Sequence, residues 1–555
     1  VIFRFQAANS SPILYSGSRL WSDCVNKRRV IIGGVLAVAI ITTAIIVWVK
    51  SRPNQTPGGP SAGGVTVVTA AGQDPVSLDP AKLADTESSP FVSAVFAPLA
   101  LVNPAGELVY VLAESVEMSA DAMQATVVLR ANAKFSDRSP VTAADVRWSL
   151  ERVFRMHPQR YVLERVAGIK DATSATVHAA GFQIVNDRTL VVRFDRPDPE
   201  WPRLIATTFA GIVKSGSDEG PKLPLDRGLI GAGPFKLKDV EPGHKYLFER
   251  NPGFPLDHGL ASLEIRILAN EQEMARQAES GGLNLLRVRG NLVREIAVRQ
   301  GASLQLRPGF RKKRLERLAG QDLLFLRINW QDAAFKDVPP ERRRAWADAL
   351  GASIDRAALA EKLYLSTAVP ASTVVPSSGA AISPPAGGSG GPITTGTKIE
   401  LVTGAVGELR QVSDLVASNL RSGALTMQVD VRLLPIGDLI QRLFAPNYQV
   451  ALLWLESNLS PPGLSWGTFF TPGGISALAE PLPQTPAMLD AARSTADPAK
   501  RQLLLAGLLD DINRTQTALV PLVRREAVYL VGDELSGPGA DFNGIQQFSL
   551  LGAKR

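Results

Sequence analysis

Hydrophobic positions along this chain follow three patterns in turn. From Val30 to Val49 the residues are all uncharged, VIIGGVLAVAIITTAIIVWV. At about 1.5 Å rise per residue such a run crosses about 30 Å of hydrocarbon, which predicts a transmembrane helix. The run closes on Trp48-Val49 and continues into Lys50 and Arg52, without a small-x-small cleavage site, so an uncleaved anchor is expected. Ser51 to Gly64, SRPNQTPGGPSAGG, is rich in Pro, Gly and small polar residues and predicts a flexible spacer. From Val65 onward, periods of two and of 3.6 residues alternate, as in a folded α/β body.

Within that body, Val65 to Ala70 is a β-branched strand pattern, followed by a proline-broken loop, Asp74-Pro75-Val76-Ser77-Leu78-Asp79-Pro80. A strand returns at Ala125 to Leu129. Thr142 then opens a helix as its N-cap, with Asp145 at the capping-box position and Val146, Trp148, Leu150 and Val153 at helical spacing. Further on, Ile399 to Thr403 reads as a strand, Leu409 to Leu420 as an amphipathic helix, Met427 to Leu434 as an alternating strand, Gly437 to Phe444 as a helix and Val450 to Leu455 as a buried strand. That βαβαβ order predicts a parallel sheet. Between these regions, residues 376–397 are low in complexity and are expected to form a surface loop. The run Arg311-Lys312-Lys313-Arg314 with Arg317 reads as a solvated charged turn.

At 555 residues the chain is too long for one ordinary core, and two or three packed lobes are expected. The net charge of +7 suggests a polyanion partner until it is located. Arg4, Arg19, Lys27, Arg28 and Arg29 precede the apolar run, Lys50 and Arg52 follow it, and the remainder is close to neutral. The basicity therefore marks membrane topology, with the N-terminus cytoplasmic and the body periplasmic or extracellular, and argues against nucleic-acid binding. The single cysteine, Cys24, precedes the apolar run, so the body holds no disulfide and no lipid acceptor follows the span. His157, His178, His244 and His258 fall in no metal-ligand spacing, and no metal or cofactor is expected. Gly59-Pro60-Ser61-Ala62-Gly63 matches the G-x-S-x-G pattern of hydrolases, but a nucleophile elbow needs a strand before it and a helix after it, which this spacer does not offer. No catalytic constellation is found, and the chain reads as a non-enzyme.

A set of sequence words in fixed order then carries a resemblance. These are DPVSLDP (74–80), the stretch 95–153 containing FSDRSPVTAADVRWSLERV, NDRTLVVRF (186–194), GAGPFKLKDVEPGHKYLFERNPGF (231–254), ALGASIDRAAL (349–359) and PLVRREAVYLVGDELSG (521–537). The chain resembles the family-5 extracellular solute-binding proteins, the dipeptide, oligopeptide and nickel substrate-binding proteins of ABC importers. The resemblance implies an α/β, bilobal, periplasmic-binding-protein-like fold of type II in its large three-subdomain form, here preceded by one transmembrane helix. It places a cytoplasmic tail at 1–29, the helix at 30–49, a linker at 50–64, lobe I at 65–288 with an extra subdomain near 97–190, lobe II at 289–518 and a return to lobe I at 519–555. The implied partners are a peptide or small-molecule ligand held between the lobes, ABC permease subunits, and the membrane through residues 30–49.

By the same resemblance, lobe I contributes Asp85, Thr86 and Glu87 to ligand binding, and lobe II contributes the stretch from Trp454 to Trp466, including Glu456 and Ser457. The two tryptophans serve core packing equally well. The family's aspartate for a peptide ammonium corresponds to Ser457, and its usual Asp-Pro to Ser460-Pro461. Loss of that carboxylate removes a charge-assisted contact worth about 1.5–3 kcal/mol. Glu456 is adjacent, but neighbouring residues of an extended stretch face opposite sides. Free peptides therefore compete with capped peptides or glycans as the expected ligand, and a membrane-fixed sensor or assembly module stands as the alternative function.

Overall fold

The computed structural model describes residues 64–83, 85–157, 160–174, 176–216, 229–301, 303–365, 367–375, 396–405, 407–423, 426–455, 470 and 482–554. All belong to one compact unit that begins at Ala62. The apolar run 30–49, the G-x-S-x-G match and most of the low-complexity stretch lie outside the described residues. Among the described residues, no helix is long and apolar enough to cross a membrane.

The strands follow in chain order. They are β1 (Val65–Ala71), β2 (Ala100–Val102), β3 (Leu108–Tyr110), β4 (Ala113–Met118), β5 (Gln124–Leu129), β6 (Phe182–Asn186) and β7 (Thr189–Arg193). Next come β8 (Phe235–Glu241), β9 (Lys245–Arg250), β10 (Leu260–Ile267), β11 (Leu285–Val288), β12 (Ala297–Gln300), β13 (Ser303–Leu306) and β14 (Lys313–Ile328). The last five are β15 (Ala368–Pro370), β16 (Lys398–Gly404), β17 (Gln428–Leu434), β18 (Val450–Leu455) and β19 (Leu519–Gly532).

One sheet has the order β1-β10-β9-β8, with β1 parallel to β10 and the other pairs antiparallel. A second, β4-β5-β7-β6, is antiparallel throughout. Both pack into one core, in which Val67 and Leu263 of the first join Val116, Val127 and Leu190 of the second. The helix Ala143–Met156 belongs to this core. Thr142 Oγ1 accepts from the Asp145 amide, and Asp145 accepts from the Thr142 amide at 2.8 Å, the expected capping box. Arg152 of this helix forms a buried ion pair with Asp79 of the proline-broken loop, which fixes that loop against the helix.

The word GAGPF has a steric reason. A Cβ on Gly231 would lie 2.1 Å from the carbonyl oxygen of Val95, and one on Gly233 2.5 Å from its carbonyl carbon. The backbone crosses the end of the helix Ser89–Val95 so closely that the Gly233 amide donates to that carbonyl at 2.7 Å.

The third sheet has seven strands, β11-β19-β14-β18-β16-β17, with β15 on β19. Its βαβαβ segment has the order expected above. Helices Gly407–Ser422 and Ile436–Phe444 connect β16, β17 and β18, which run parallel with β16 in the middle. The longest strands, β14 and β19, pair antiparallel but serve different cores along their length. Ala527, Tyr529 and Val531 pack in the core described above, whereas Val520, Leu522 and Val523 pack with β16 and β18. Between these two ends the register slips. Leu318 faces Ala527, but Asp322 faces Arg525, so β14 bulges by two residues and sets these two charges opposite one another. Of the basic run, Arg314 and Arg317 lie within β14 and pair with Glu316 and Glu526, so it is part strand and part turn.

A second connection joins helix Thr485–Ser494 to the segment 161–200. Buried Arg493 donates to both oxygens of Asp198, at 2.9 and 2.6 Å, and to the carbonyls of Tyr161 and Val162. Reciprocally, Arg165 donates to Asp490 of that helix, and Arg501 of helix Pro498–Thr515 pairs with Glu200 at 2.6 Å.

Candidate functional site

In sheets with parallel strands joined through helices, ligands meet the carboxyl ends of those strands. Here that edge is formed by Gly404, Leu434 and Leu455, the last residues of β16, β17 and β18. Glu408 stands in the first turn of the following helix Gly407–Ser422, where the helix dipole favours a carboxylate. Arg525 of β19 reaches it, with Nη1 3.2 Å from both Glu408 oxygens, while Nη2 donates to Asp322 at 3.0 Å. Its guanidinium carbon lies 4.2 Å from the ring centre of Trp454, a cation–π contact. The Tyr364 hydroxyl donates to Glu408 at 2.7 Å and its ring meets Trp454 edge-on. Burial, and then the Glu408 carboxylate, hold this phenol well above its ordinary pKa, so it stays a donor.

The charges continue toward the proline-broken loop. Arg287 of β11 lies 3.8 Å from Asp322, and Arg289 pairs with Glu87. Between them and helix Gly407–Ser422 runs Gly290, at φ +51°. A Cβ there would stand 3.2 Å from Glu271 and 3.4 Å from Glu408. Burial and the neighbouring Glu408 and Glu295 raise the Glu271 pKa to about 7. Six ionic groups, Glu87, Arg287, Arg289, Asp322, Glu408 and Arg525, thus gather in this region, and Arg525 carries the network onto the Trp454 face.

Asp85 and Thr86 take different positions. The Asp85 carboxylate accepts from the Ser88 amide and hydroxyl at 2.7 and 2.9 Å, which shapes the loop's exit into helix Ser89–Val95. With Thr86, Ser89, Thr208 and Asp541 it lines a crevice with room for little more than a water-sized group. Asp541 is buried, accepts from two backbone amides and from Gln547, and is raised by burial to about 6.

Of the residues expected at the site, the structure thus brings Glu87 and Trp454 to one charged network and sets Asp85 and Thr86 on the adjoining crevice. Glu456, Ser457 and Trp466 lie outside the described residues. Sequence reading did not single out Asp322, Glu408, Arg525, Arg287, Arg289 and Tyr364. The available signal was charge inside apolar strand patterns, as in QDLLFLRI and PLVRREAVYLV. Of the histidines, His157 has a structural place. It stacks on Phe209 at 4.1 Å, and burial lowers its pKa to about 4. Among the described residues no group of three potential metal ligands occurs.

Comparison with known proteins adds to this geometry. The family model for bacterial extracellular solute-binding proteins, family 5 (middle) matches residues 107–389. The periplasmic murein peptide-binding protein MppA of Escherichia coli K12 is 31% identical over 175 residues, covering 30% of this chain and 32% of its own. The periplasmic oligopeptide-binding protein OppA of Salmonella typhimurium is 28% identical over 240 residues, 41% and 43% of the two chains. The glutathione-binding protein GsiB of Escherichia coli O6:K15:H31 is 25% identical over 321 residues, 56% of each. The chain therefore spans from about a third to just over half the length of these curated relatives. Among solved structures, the Escherichia coli murein tripeptide binding protein MppA superposes with a TM-score of 0.70 at 20% identity, over 89% of this chain and 99% of that one. OppA of Haemophilus influenzae, in complex with RPPGFSPFR, gives 0.71 at 18% identity with the same coverage. At these identities the likeness establishes the fold, α/β and consistent with a bilobal arrangement.

Proposed function

Because the chain belongs to the bacterial extracellular solute-binding proteins of family 5, we propose that it captures peptides or similar small solutes between two lobes and hands them to the permease subunits of an ABC importer. The observation that carries this reading is the convergence of Glu87, Arg289, Arg287, Asp322, Arg525 and Glu408 on the carboxyl edge of the parallel strands beside Trp454. The charges and the tryptophan face at this edge suit the polar and apolar groups of a peptide-like solute. The names of MppA, OppA and GsiB support a peptide-like ligand.

In this reading lobe I spans 65–288 and 519–555, lobe II spans 289–518, and Asp85, Thr86, Glu87, Trp454, Glu456, Ser457 and Trp466 contact the solute. Residues 30–49 tether the body to the cell membrane on its outer side. No catalytic step is assigned, in keeping with relatives that are named as binding proteins. The substitution of the ammonium-binding aspartate by Ser457 favours one second reading, a membrane-fixed sensor whose ligand lacks a free amine.

Thermal unfolding of the full-length chain against pools of free peptides, capped peptides and oligosaccharides tests the proposal. A ligand at a hundred times its Kd adds about 2.7 kcal/mol. With about 2.1 cal/mol/K of melting entropy per residue, that is a rise of about 2 to 3 °C for a unit of this size. A shift with free peptides supports peptide capture for import. A shift with capped peptides or glycans alone supports the sensor, and no shift in any pool refutes the capture of these solutes.

A further inference from the structure

Helix Glu271–Glu279 and helix Gly407–Ser422 belong to different cores. Met274, Ala275 and Ala278 of the first pack with Leu286, Val288, Val528 and Leu530. Leu409, Val412 and Val416 of the second pack with Leu324, Val520 and Leu522. Each helix nevertheless sends a carboxylate from its first turn, Glu271 or Glu408, to the same point of the chain, Gly290. The missing side chain of Gly290 makes room for both, since a Cβ there would press on an oxygen of each.

The two carboxylates are supported very differently. Glu408 accepts from the Tyr364 hydroxyl and from Arg525. The charged groups acting on Glu271 are Glu408 and, from helix Leu292–Ile296, Glu295, both of like sign. On its own helix, Glu273 is engaged by Arg276 and Gln277. The basic residues of the flanking segments turn elsewhere, Arg287 to Asp322, Arg289 to Glu87, and Arg294 to the carbonyls of Glu361 and Lys362. With burial added, Glu271 keeps its proton up to about 7. Two like charges set between two packed bodies are relieved either by a proton or by separation. A path for separation exists in the ribbon of β14 and β19, which runs through both cores and whose ladder breaks between Leu318 and Asp322. Such a bulge is a place where a paired strand bends.

We propose that Glu271 and Glu408 form a proton-operated contact between these two cores, closed while Glu271 is protonated and opened by mutual repulsion when both are ionised, and that it regulates the adjoining site. The coupling runs through Glu408, because the carboxylate that faces Glu271 also holds Arg525 and Tyr364, the two groups that pack on Trp454. The effect on a ligand rests on the solute-capture reading above, whereas the contact itself does not. The closed arrangement binds a proton that a separated, hydrated Glu271 gives up near the ordinary 4.5. The ratio of separated to closed molecules should therefore rise about tenfold from pH 6 to pH 8.

Spin labels on the two helices test the contact. Arg276→Cys and Ser418→Cys, both at exposed positions, are introduced into the full-length chain with its single cysteine removed as Cys24→Ser. Pulsed electron resonance then measures the distance between the labels from pH 6 to pH 8. The longer-distance population should grow with pH, and it should stay constant when Glu271→Gln is added, because the amide is neutral at every pH. An unchanged distance distribution, or equal growth with Glu271→Gln, overturns the contact. Calorimetric titration with trialanine at the two pH values tests the coupling to the site. Relative to Glu271→Gln, which shares the probe's own ionisation, the wild-type chain should lose about tenfold in affinity at pH 8. Equal changes in the two proteins overturn the regulation of the site even where the distance responds. A distance that responds in a protein that does not bind trialanine at either pH supports the contact and overturns capture of this free peptide, so the two readings fail separately.

Discussion

Asp198→Ala removes the carboxylate that neutralises Arg493, and the structure allows the cost to be worked out. Arg493 and Asp198 have side-chain exposures of 5% and 1%, and they share two hydrogen bonds. With Asp198 gone, the guanidinium keeps the carbonyls of Tyr161 and Val162 and a weak 3.4 Å contact to the half-exposed Glu164. Breaking one side of such a pair costs about 3–5 kcal/mol, because a buried charge is left uncompensated. A unit running from Ala62 to Arg555 has a melting entropy of about 1 kcal/mol/K, so its Tm should fall by about 3 to 5 °C. Helix Thr485–Ser494 can also lift from the segment 161–200 and let Arg493 hydrate. The cost then appears as an expanded particle, so scanning calorimetry and small-angle X-ray scattering are both needed. The double variant Asp198→Leu/Arg493→Met, which replaces both charges with apolar groups, should recover most of the loss. An Asp198→Ala protein with Tm within about 1 °C of wild type and an unchanged radius of gyration would refute the reasoning.

Three further outcomes are expected. Glu271 titrates near 7 in the folded chain against an ordinary 4.5, so the native state binds the extra proton between those values. Stability should therefore fall as pH rises from about 4.5 to about 7, and Glu271→Gln should raise Tm at pH 7.5 while leaving it unchanged at pH 4. Gly290→Ala places a Cβ at positive φ between two carboxylates. It should cost about 1–2 kcal/mol, read as a Tm loss of about 1 to 2 °C. Asp322→Asn weakens the charge contact of Asp322 with Arg525 and with Arg287. A loss of about 1.5–3 kcal/mol is expected in urea unfolding, accompanied by a change in Trp454 fluorescence as the stacked guanidinium shifts.

Local features of the fold were legible because local chemistry decides them. Thr142 and Asp145 satisfy each other's amides within one helical turn, and the periodicities between Ile399 and Leu455 alternate cleanly enough to give βαβαβ and its parallel pairing. The charged network was not legible for the opposite reason. Asp322 meets Arg525 only because β14 bulges by two residues, and that register is set by packing at both ends of the ribbon. Tyr364 and Glu408 likewise meet because two helices start or end at one sheet edge, a juxtaposition with no sequence spacing to reveal it. Glu87 and Trp454 were reached through resemblance, although neither the ion pair to Arg289 nor the stacking on Arg525 follows from their neighbours in the chain.

The place of β19 has a consequence for biosynthesis. Everything from β1 to β18 emerges from the ribosome before this strand does, yet β11 joins the seven-stranded sheet only through β19, and β14 needs it along most of its length. Until Leu519–Gly532 is made, the nascent chain carries β14 with one bare edge and two cores that are missing residues. The sheets β1-β10-β9-β8 and β4-β5-β7-β6 can pair before β19 is made, whereas the seven-stranded sheet closes late, through one long-range pairing event.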